Sequence, residues 1–218
     1  MMGLDGVFWV WGVPLVAGYL LGSISGALVL GRFSNVDIRA MGSGNAGGTN
    51  AFRTKGWRFA LGVVVIDIGK GVLAAAGLPM VLTHAGWVDQ AALTAGVVAG
   101  FAAILGHIWP LYFGFRGGKG AGTAVGAVLV LAPGCILPML ITWLVTLLAT
   151  GYVGFSTILT GLVLVPSMIY FGPEPLSTDL AIFAVAVAGL IVFTHRSNLQ
   201  RMRQGTENRF NTQKLWRR

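Results

Sequence analysis

Five stretches of this chain, residues 7 to 31, 59 to 82, 90 to 109, 152 to 171 and 179 to 195, are apolar over a length that suits a lipid bilayer. A helix of roughly 20 residues crosses a hydrocarbon core of about 30 Å. Composition agrees: 55% of residues are apolar and 10% charged, with a mean hydropathy of +0.77, whereas a soluble domain carries roughly a quarter charged residues. The expected fold is an all-α polytopic membrane protein, a single integral membrane domain over 1–218 whose residues 196–218 form a basic cytoplasmic tail.

Charge placement orients the spans. Of 15 basic residues, all but Lys70 fall in three segments: Arg32, Arg39, Arg53, Lys55 and Arg58; Arg116 and Lys119; and Arg196, Arg201, Arg203, Arg209, Lys214, Arg217 and Arg218. The opposite loops hold only the acids Asp5, Asp89, Glu174 and Asp179, so the positive-inside rule places the N-terminus outside and the tail in the cytoplasm. The glycine loop near 116 and the tail then share a side, and an even number of crossings must separate them. Residues 121 to 150, interrupted by Pro133, Gly134 and Pro138, suit two short helices of about 22 Å each. Seven transmembrane helices result, with five plus a re-entrant hairpin as the alternative.

No basic residue precedes the first apolar run, which is too long for a signal-peptide core and is expected to stay as a span. The lone cysteine, Cys135, falls in a predicted outer turn and reads as filler; no metal site is expected. Gly18, Gly22, Gly26 and Gly31 suit close helix packing, and Ser23 and Ser25 between them are candidates for support of a headgroup site. No repeat at helix-pair period is detected, which weakens a transporter of inverted-repeat type.

Three polar motifs share the basic side. The first, Gly42 to Asn50 followed by Arg53, is too rich in glycine for a helix interior and predicts a loop leading into a helix near Asn50. A helix start is a ready anion site. The second runs from Gly106-His107 through Arg116-Gly117-Gly118-Lys119-Gly120; its glycines let backbone N–H groups converge on an anion while Arg116 and Lys119 supply charge. The third, His195-Arg196-Ser197-Asn198, begins where the last span ends. Inside the second span Asp67 and Lys70 lie at i and i+3, where each charge costs about 2.5 to 3.5 kcal/mol unless it pairs or faces a polar cavity.

Taken together, Gly22-Ser23-Ile24-Ser25, Gly42 through Asn50 with Arg53, Asp67 with Lys70-Gly71, Gly106-His107 through Thr123, and His195-Arg196 with Asn198, Arg201, Gly205 and Glu207 resemble the PlsY-type acyl-phosphate:glycerol-3-phosphate acyltransferases of bacteria. The likeness covers about residues 15 to 210. The family usually has Ala at 48, Lys at 116, and Val-Ala at 121 and 122, where this chain has Gly48, Arg116, Ala121 and Gly122.

The resemblance implies acyl transfer from acyl phosphate to the 1-hydroxyl of sn-glycerol 3-phosphate, giving lysophosphatidic acid and phosphate at the cytoplasmic face of the bacterial inner membrane. It also implies a PlsX-type acyl-phosphate synthase as partner, membrane lipids as surroundings, no cofactor and no nucleic acid. By matching positions, His195, Lys119 and Asn198 are expected to be catalytic. Arg53, Lys119, His195 and Asn198 would hold glycerol phosphate, and Ser43, Asn45, Thr49, Asn50, Gly117, Gly118 and Gly120 the acyl phosphate, with His107, Arg116 and Arg196 nearby. No HxxxxD motif is present, since Tyr112 and Gln200 stand five residues after His107 and His195, and no nucleophilic triad reads out. Direct attack by the glycerol hydroxyl is expected, the base being His195, His107 or a substrate phosphate oxygen. A phosphate-solute transporter would need polar residues continuing across the membrane, but Val72 to Leu82 carry no charge. A scaffold for other lipid enzymes would need no phosphate loops.

Overall fold

The structure is a computed structural model describing residues 4–88 and 91–210; Asp89, Lys214, Arg217 and Arg218, which entered the orientation argument, lie outside the described residues. The described residues are helical with no strand, and fall into two compact units, up to Leu131 and from Ala132.

The first unit runs α1 (Leu4–Val7), a π-helical turn at Phe8–Gly12, α2 (Val13–Gly22), α3 (Gly26–Phe33), α4 (Gly48–Lys55), α5 (Trp57–Val72), a second π turn at Leu73–Gly77, α6 (Leu78–His84), α7 (Ala92–Ile108) and α8 (Ala121–Leu131). The apolar run expected as one span over 7 to 31 is not straight. It breaks at Ser23-Ile24-Ser25 and bends by 42°. The second expected span is a 28-residue helix, Trp57–His84, continuous through its π turn. The first polar loop gives way to α4 at Gly48, two residues before Asn50, so Gly48 and Thr49 form its opening turn.

Small residues set the packing, as their spacing suggested. A Cβ at Gly18 would press on the backbone of Ala99, one at Gly22 on that of Ala103, and one at Gly106 on Tyr19 of α2, so α2 and α7 lie backbone against backbone. Gly71 of α5 and Gly126 of α8 meet the facing backbone at Thr123 and Ile68 in the same way. Without a hydrophobic drive between helices in lipid, such approach supplies the dispersion contacts that hold spans together. At the end with the basic loops, Ala27, Ile38, Ala46, Ala51, Ala60 and Val63 form a buried cluster beneath the loops. At the opposite end Val10, Leu82, Val88 and Ala95 cluster, with Trp9 and Trp87 stacked at 3.9 Å.

The second unit contains a 3₁₀ turn at Pro133–Cys135, α9 (Ile136–Thr150), α10 (Val153–Phe171), α11 (Thr178–Thr194) and α12 (Arg196–Arg203). The ambiguous stretch from 121 to 150 is therefore two helices parted at Pro133, the first only 11 residues long. Helix α10 packs on both α9 and α11. Ser177 caps α11 by accepting from Leu180 N, with Asp179 in its first turn. Inside α10 the hydroxyls of Ser156 and Thr160 donate to carbonyls one turn earlier, which satisfies them without a partner helix. Helix α9 exposes Leu137, Leu140, Ile141, Leu144, Val145 and Leu148, an outward apolar face that suits lipid.

By length and composition four helices can cross a membrane, or six if the bent pairs α2–α3 and α11–α12 each count as one. If backbone contact at Gly18 holds the first unit together, Gly18→Ala lowers thermal stability in detergent by about 1–3 kcal/mol. Gly69→Ala, where nothing lies within 4 Å, is the control expected to show no such loss.

Candidate active site

The buried centre of the first unit is ionic. Asp67 and Lys70, one turn apart on α5, form a 3.1 Å salt bridge with side chains only 5% and 3% exposed. Lys70 Nζ also donates to the carbonyls of Gly22 (2.8 Å) and Ile24 (2.9 Å), where α2 ends. Asp67 Oδ1 accepts from the Gly26 N–H (3.0 Å), where α3 begins. A cation thus meets the carbonyl end of one helix and an anion the amide end of the next, the arrangement that helix dipoles favour. The Asp67 and Lys70 pair is therefore what allows the first span to break. His107 of α7 is its third member: Nδ1 lies 2.9 Å from Lys70 Nζ and 3.3 Å from Asp67 Oδ1.

Ser23 donates to Tyr19 O (2.9 Å) and accepts from Leu111 N (3.2 Å), which ties the break to the start of the glycine loop. Ser25 and Thr123 are fully buried, and their hydroxyls make no hydrogen bond among the described residues.

In the first polar loop the amide of Asn50, 1% exposed, is taken up by the loop itself. Oδ1 accepts from Ser43 N (2.9 Å), and Nδ2 donates to Ile38 O (3.1 Å) and Met41 O (2.9 Å). Asn50 is the brace of this loop, while Ser43 and Thr49 are exposed, Asn45 is half-buried and Arg53 stands on the exposed side of α4. Arg39, which the sequence presented only as a loop charge, forms a 3.0 Å ion pair with Asp37 beside it. The Arg39 hydrogen bonds hold the Asp37 carboxyl below its usual range.

The glycine loop departs from expectation in one respect. The N–H groups of Gly117 and Gly118 donate to Ile108 O and His107 O, both at 3.1 Å, and so point toward α7 rather than converging on an anion. Their glycine identity has a steric cause instead. A Cβ at Gly117 would strike the His107 carbonyl, and one at Gly118 would strike His107 Nε2 and lie 2.7 Å from Ala46 O. Gly118 is the point at which the ionic centre, the glycine loop and the first polar loop come within contact. The amides suited to an anion in this loop are those of the opening turn of α8, from Ala121 on, which have no earlier helical carbonyl to meet. Lys119 is half-buried just before that turn and Arg116 is exposed.

In the second unit α11 ends at Thr194 with His195 as its C-cap, where the chain bends by 45° into α12. His195 Nδ1 donates to Ile191 O (2.8 Å), which in the neutral ring puts the lone pair on Nε2. Asn198, buried against Gly154, donates through Nδ2 to Glu207 Oε1 (2.8 Å), and Arg201 Nε donates to Glu207 Oε2 (2.7 Å). Glu207, part of the motif but assigned no role from sequence, is the group that orients Asn198. Arg196 folds back over the Phe193 ring at 4.2 Å and donates to Phe193 O.

Removing one member of a buried pair strands the other's charge, so Asp67→Ala is expected to cost about 3–5 kcal/mol. Asp67→Asn, which keeps an oxygen to accept from the Gly26 N–H, should cost less, as thermal unfolding in lipid nanodiscs would show.

A sequence profile described as "Glycerol-3-phosphate acyltransferase" matches residues 13–205. Proteins of that name from Chlorobaculum parvum and Chlorobium chlorochromatii are each 36% identical, over alignments covering 89% of this chain and 94% of theirs. The crystal structure of PlsY, an integral membrane glycerol 3-phosphate acyltransferase, superposes with a TM-score of 0.80 in its glycerol 3-phosphate form and 0.76 in its lysophosphatidic acid form. Identity is 30% in both, over 98% of this chain and 99% of that one. Profile, relatives and fold agree over nearly the whole chain, which belongs to the glycerol-3-phosphate acyltransferase family of integral membrane enzymes.

Proposed function

We propose that this acyltransferase takes its acyl group from acyl phosphate and transfers it to the 1-hydroxyl of sn-glycerol 3-phosphate, giving lysophosphatidic acid and inorganic phosphate. The observation that carries the reading is the contact of two polar loops at Gly118 and Ala46, which sets Ser43, Asn45, Thr49 and Arg53 in one assembly with Lys119 and the start of α8. Such an assembly suits two phosphorylated substrates, whose mutual repulsion must be neutralised before they react. The solved relative captured with glycerol 3-phosphate, and again with lysophosphatidic acid, supports the same acceptor and product.

The glycerol hydroxyl oxygen attacks the acyl carbonyl carbon of the mixed anhydride, and the bond from that carbon to the phosphate oxygen breaks. The hydroxyl proton passes to a phosphate oxygen, whose second pKa near 6 suits a base at neutral pH. Phosphate leaves, and no acyl-enzyme forms. Lys119 and Arg53 neutralise phosphate charge, with Arg116 and Arg196 contributing field at the boundary. Ser43, Asn45 and Thr49 offer hydrogen bonds to the acyl phosphate, together with the amides of Gly120 and the first turn of α8. Asn50, Gly117 and Gly118 serve by holding the loops. The family resemblance assigns orientation of the hydroxyl to His195 and Asn198, and within the second unit Ile191 O fixes the imidazole and Glu207 the amide.

Placement follows the charges. With α8 and α9 counted separately and each bent pair as one span, the chain crosses seven times, N-terminus outside and basic loops in the cytoplasm, in a bacterial inner membrane. Acyl phosphate then reaches the site from a peripheral PlsX-type synthase on the same side.

Purified protein in lipid is expected to form lysophosphatidic acid from glycerol 3-phosphate with acyl phosphate but not with acyl-CoA. Lys119→Ala should lower kcat/KM by about a hundredfold or more. Product from acyl-CoA alone would overturn the donor assignment, and full activity of Lys119→Ala the loop assignment.

A further inference from the structure

Between Phe113 and Arg116 the glycine loop makes a turn that its own sequence does not favour. Gly114 sits at φ 66° and ψ 35°, and Phe115 follows at φ 59°. A left-handed conformation is ordinary for glycine but disfavoured for phenylalanine, whose Cβ crowds the following carbonyl. The Phe115 ring is exposed, so no burial of the side chain offsets that cost. Within the loop the Phe115 N–H donates to Pro110 O (2.9 Å), and one further group, from outside the loop, holds the turn.

That group is Arg39, in the 3₁₀ turn Ile38–Ala40 just before the first polar loop. Arg39 Nη1 donates to Phe113 O (3.0 Å) and to Arg116 O (3.1 Å), the two carbonyls flanking the left-handed pair. The rest of the guanidinium is fixed by Asp37: Nε lies 3.0 Å from Oδ1 and Nη2 3.0 Å from Oδ2, while the Arg39 N–H also donates to Oδ1 (2.9 Å). The planar fork is thus held along one edge by a carboxylate and presents its remaining nitrogen to the kinked backbone. Arg39 crosses from one polar loop to the other, so the position of Arg116, and of Lys119 three residues on, is referred to the loop that carries Ser43 and Arg53.

We infer that Arg39, braced by Asp37, is a positioning residue that locks the left-handed turn at Gly114-Phe115 and thereby sets the height of Arg116 and Lys119 at the phosphate site. The effect on turnover rests on the function proposed above; the clamp itself does not. Lysine cannot replace it, because a single ammonium cannot grip a carboxylate on two sides and also span two carbonyls.

The test uses the full chain in lipid nanodiscs, comparing the natural sequence with Arg39→Ala, Arg39→Lys and Asp37→Asn. Trypsin cleavage after Arg116 and Lys119, followed by mass spectrometry, reads the turn directly, and cleavage after Arg203 in α12 serves as the internal reference. Both Arg39 variants should speed cleavage after Arg116 and Lys119 by about tenfold or more at an unchanged Arg203 rate. They should raise KM for glycerol 3-phosphate by about the same factor with a smaller change in kcat, since displacing a positioned group by an ångström costs up to about a hundredfold. Asp37→Asn, which keeps the Arg39 charge and reach, should fall between. Cleavage after Arg116 and Lys119 within twofold of the natural chain in all three variants would overturn the inference, as would full protection in Arg39→Lys. If the natural chain proves inactive while the cleavage pattern is as expected, the functional reading fails and the clamp stands.

Discussion

A charged pair in the middle of an apolar helix is the constraint on which the first unit depends. Lys70 and Asp67 can remain in the second span only because the first span breaks beside them and presents two carbonyls and an amide N–H. The break in turn needs the pair, since the ends of α2 and α3 would otherwise leave backbone polar groups unmet in lipid. Neither feature is stable alone. His107 closes the arrangement from α7, and because the loop after α7 folds back through the carbonyls of His107 and Ile108, the ionic centre also determines where the glycine loop begins.

The same economy governs the loops. Their glycines serve contact more than anion binding: Gly118 lets His107 and Ala46 approach, and Gly117 lets the loop lie on the end of α7. Under the function proposed above, what a phosphate would use is correspondingly narrower than a glycine-rich run implies: the opening of α8, the cations, and the hydroxyls and amide of the first loop. A saturated ion pair also bears on the transporter reading. Lys70 and Asp67 are spent on backbone and on each other, which does not suit a path that must bind and release a charged solute.

Much of this was legible from sequence. Long apolar runs, the segregation of basic residues and the spacing of small residues predict helical spans that pack backbone to backbone, and a family resemblance resting on motifs spread over most of the chain agreed with profile, relatives and fold. The direction of individual hydrogen bonds was not legible. Asn50 read as a ligand, and its amide is held by its own loop; Gly117 and Gly118 read as anion donors and give their N–H groups to α7; Arg39 read as a topological charge and grips a loop 74 residues away. The bend at Ser23-Ile24-Ser25 carried no proline, and its flanking glycines read as packing positions, because its cause lies on another helix.

The sequence by itself determined the solvent and the class. Burial of apolar side chains in lipid and the cost of charge there act residue by residue, so composition and order suffice to specify them. Only the tertiary structure decided which polar groups the protein itself holds. Each donor and acceptor is directional and short in reach, and its partner is set by how α2, α5 and α7 pack and where the loops between spans return, which no local pattern encodes.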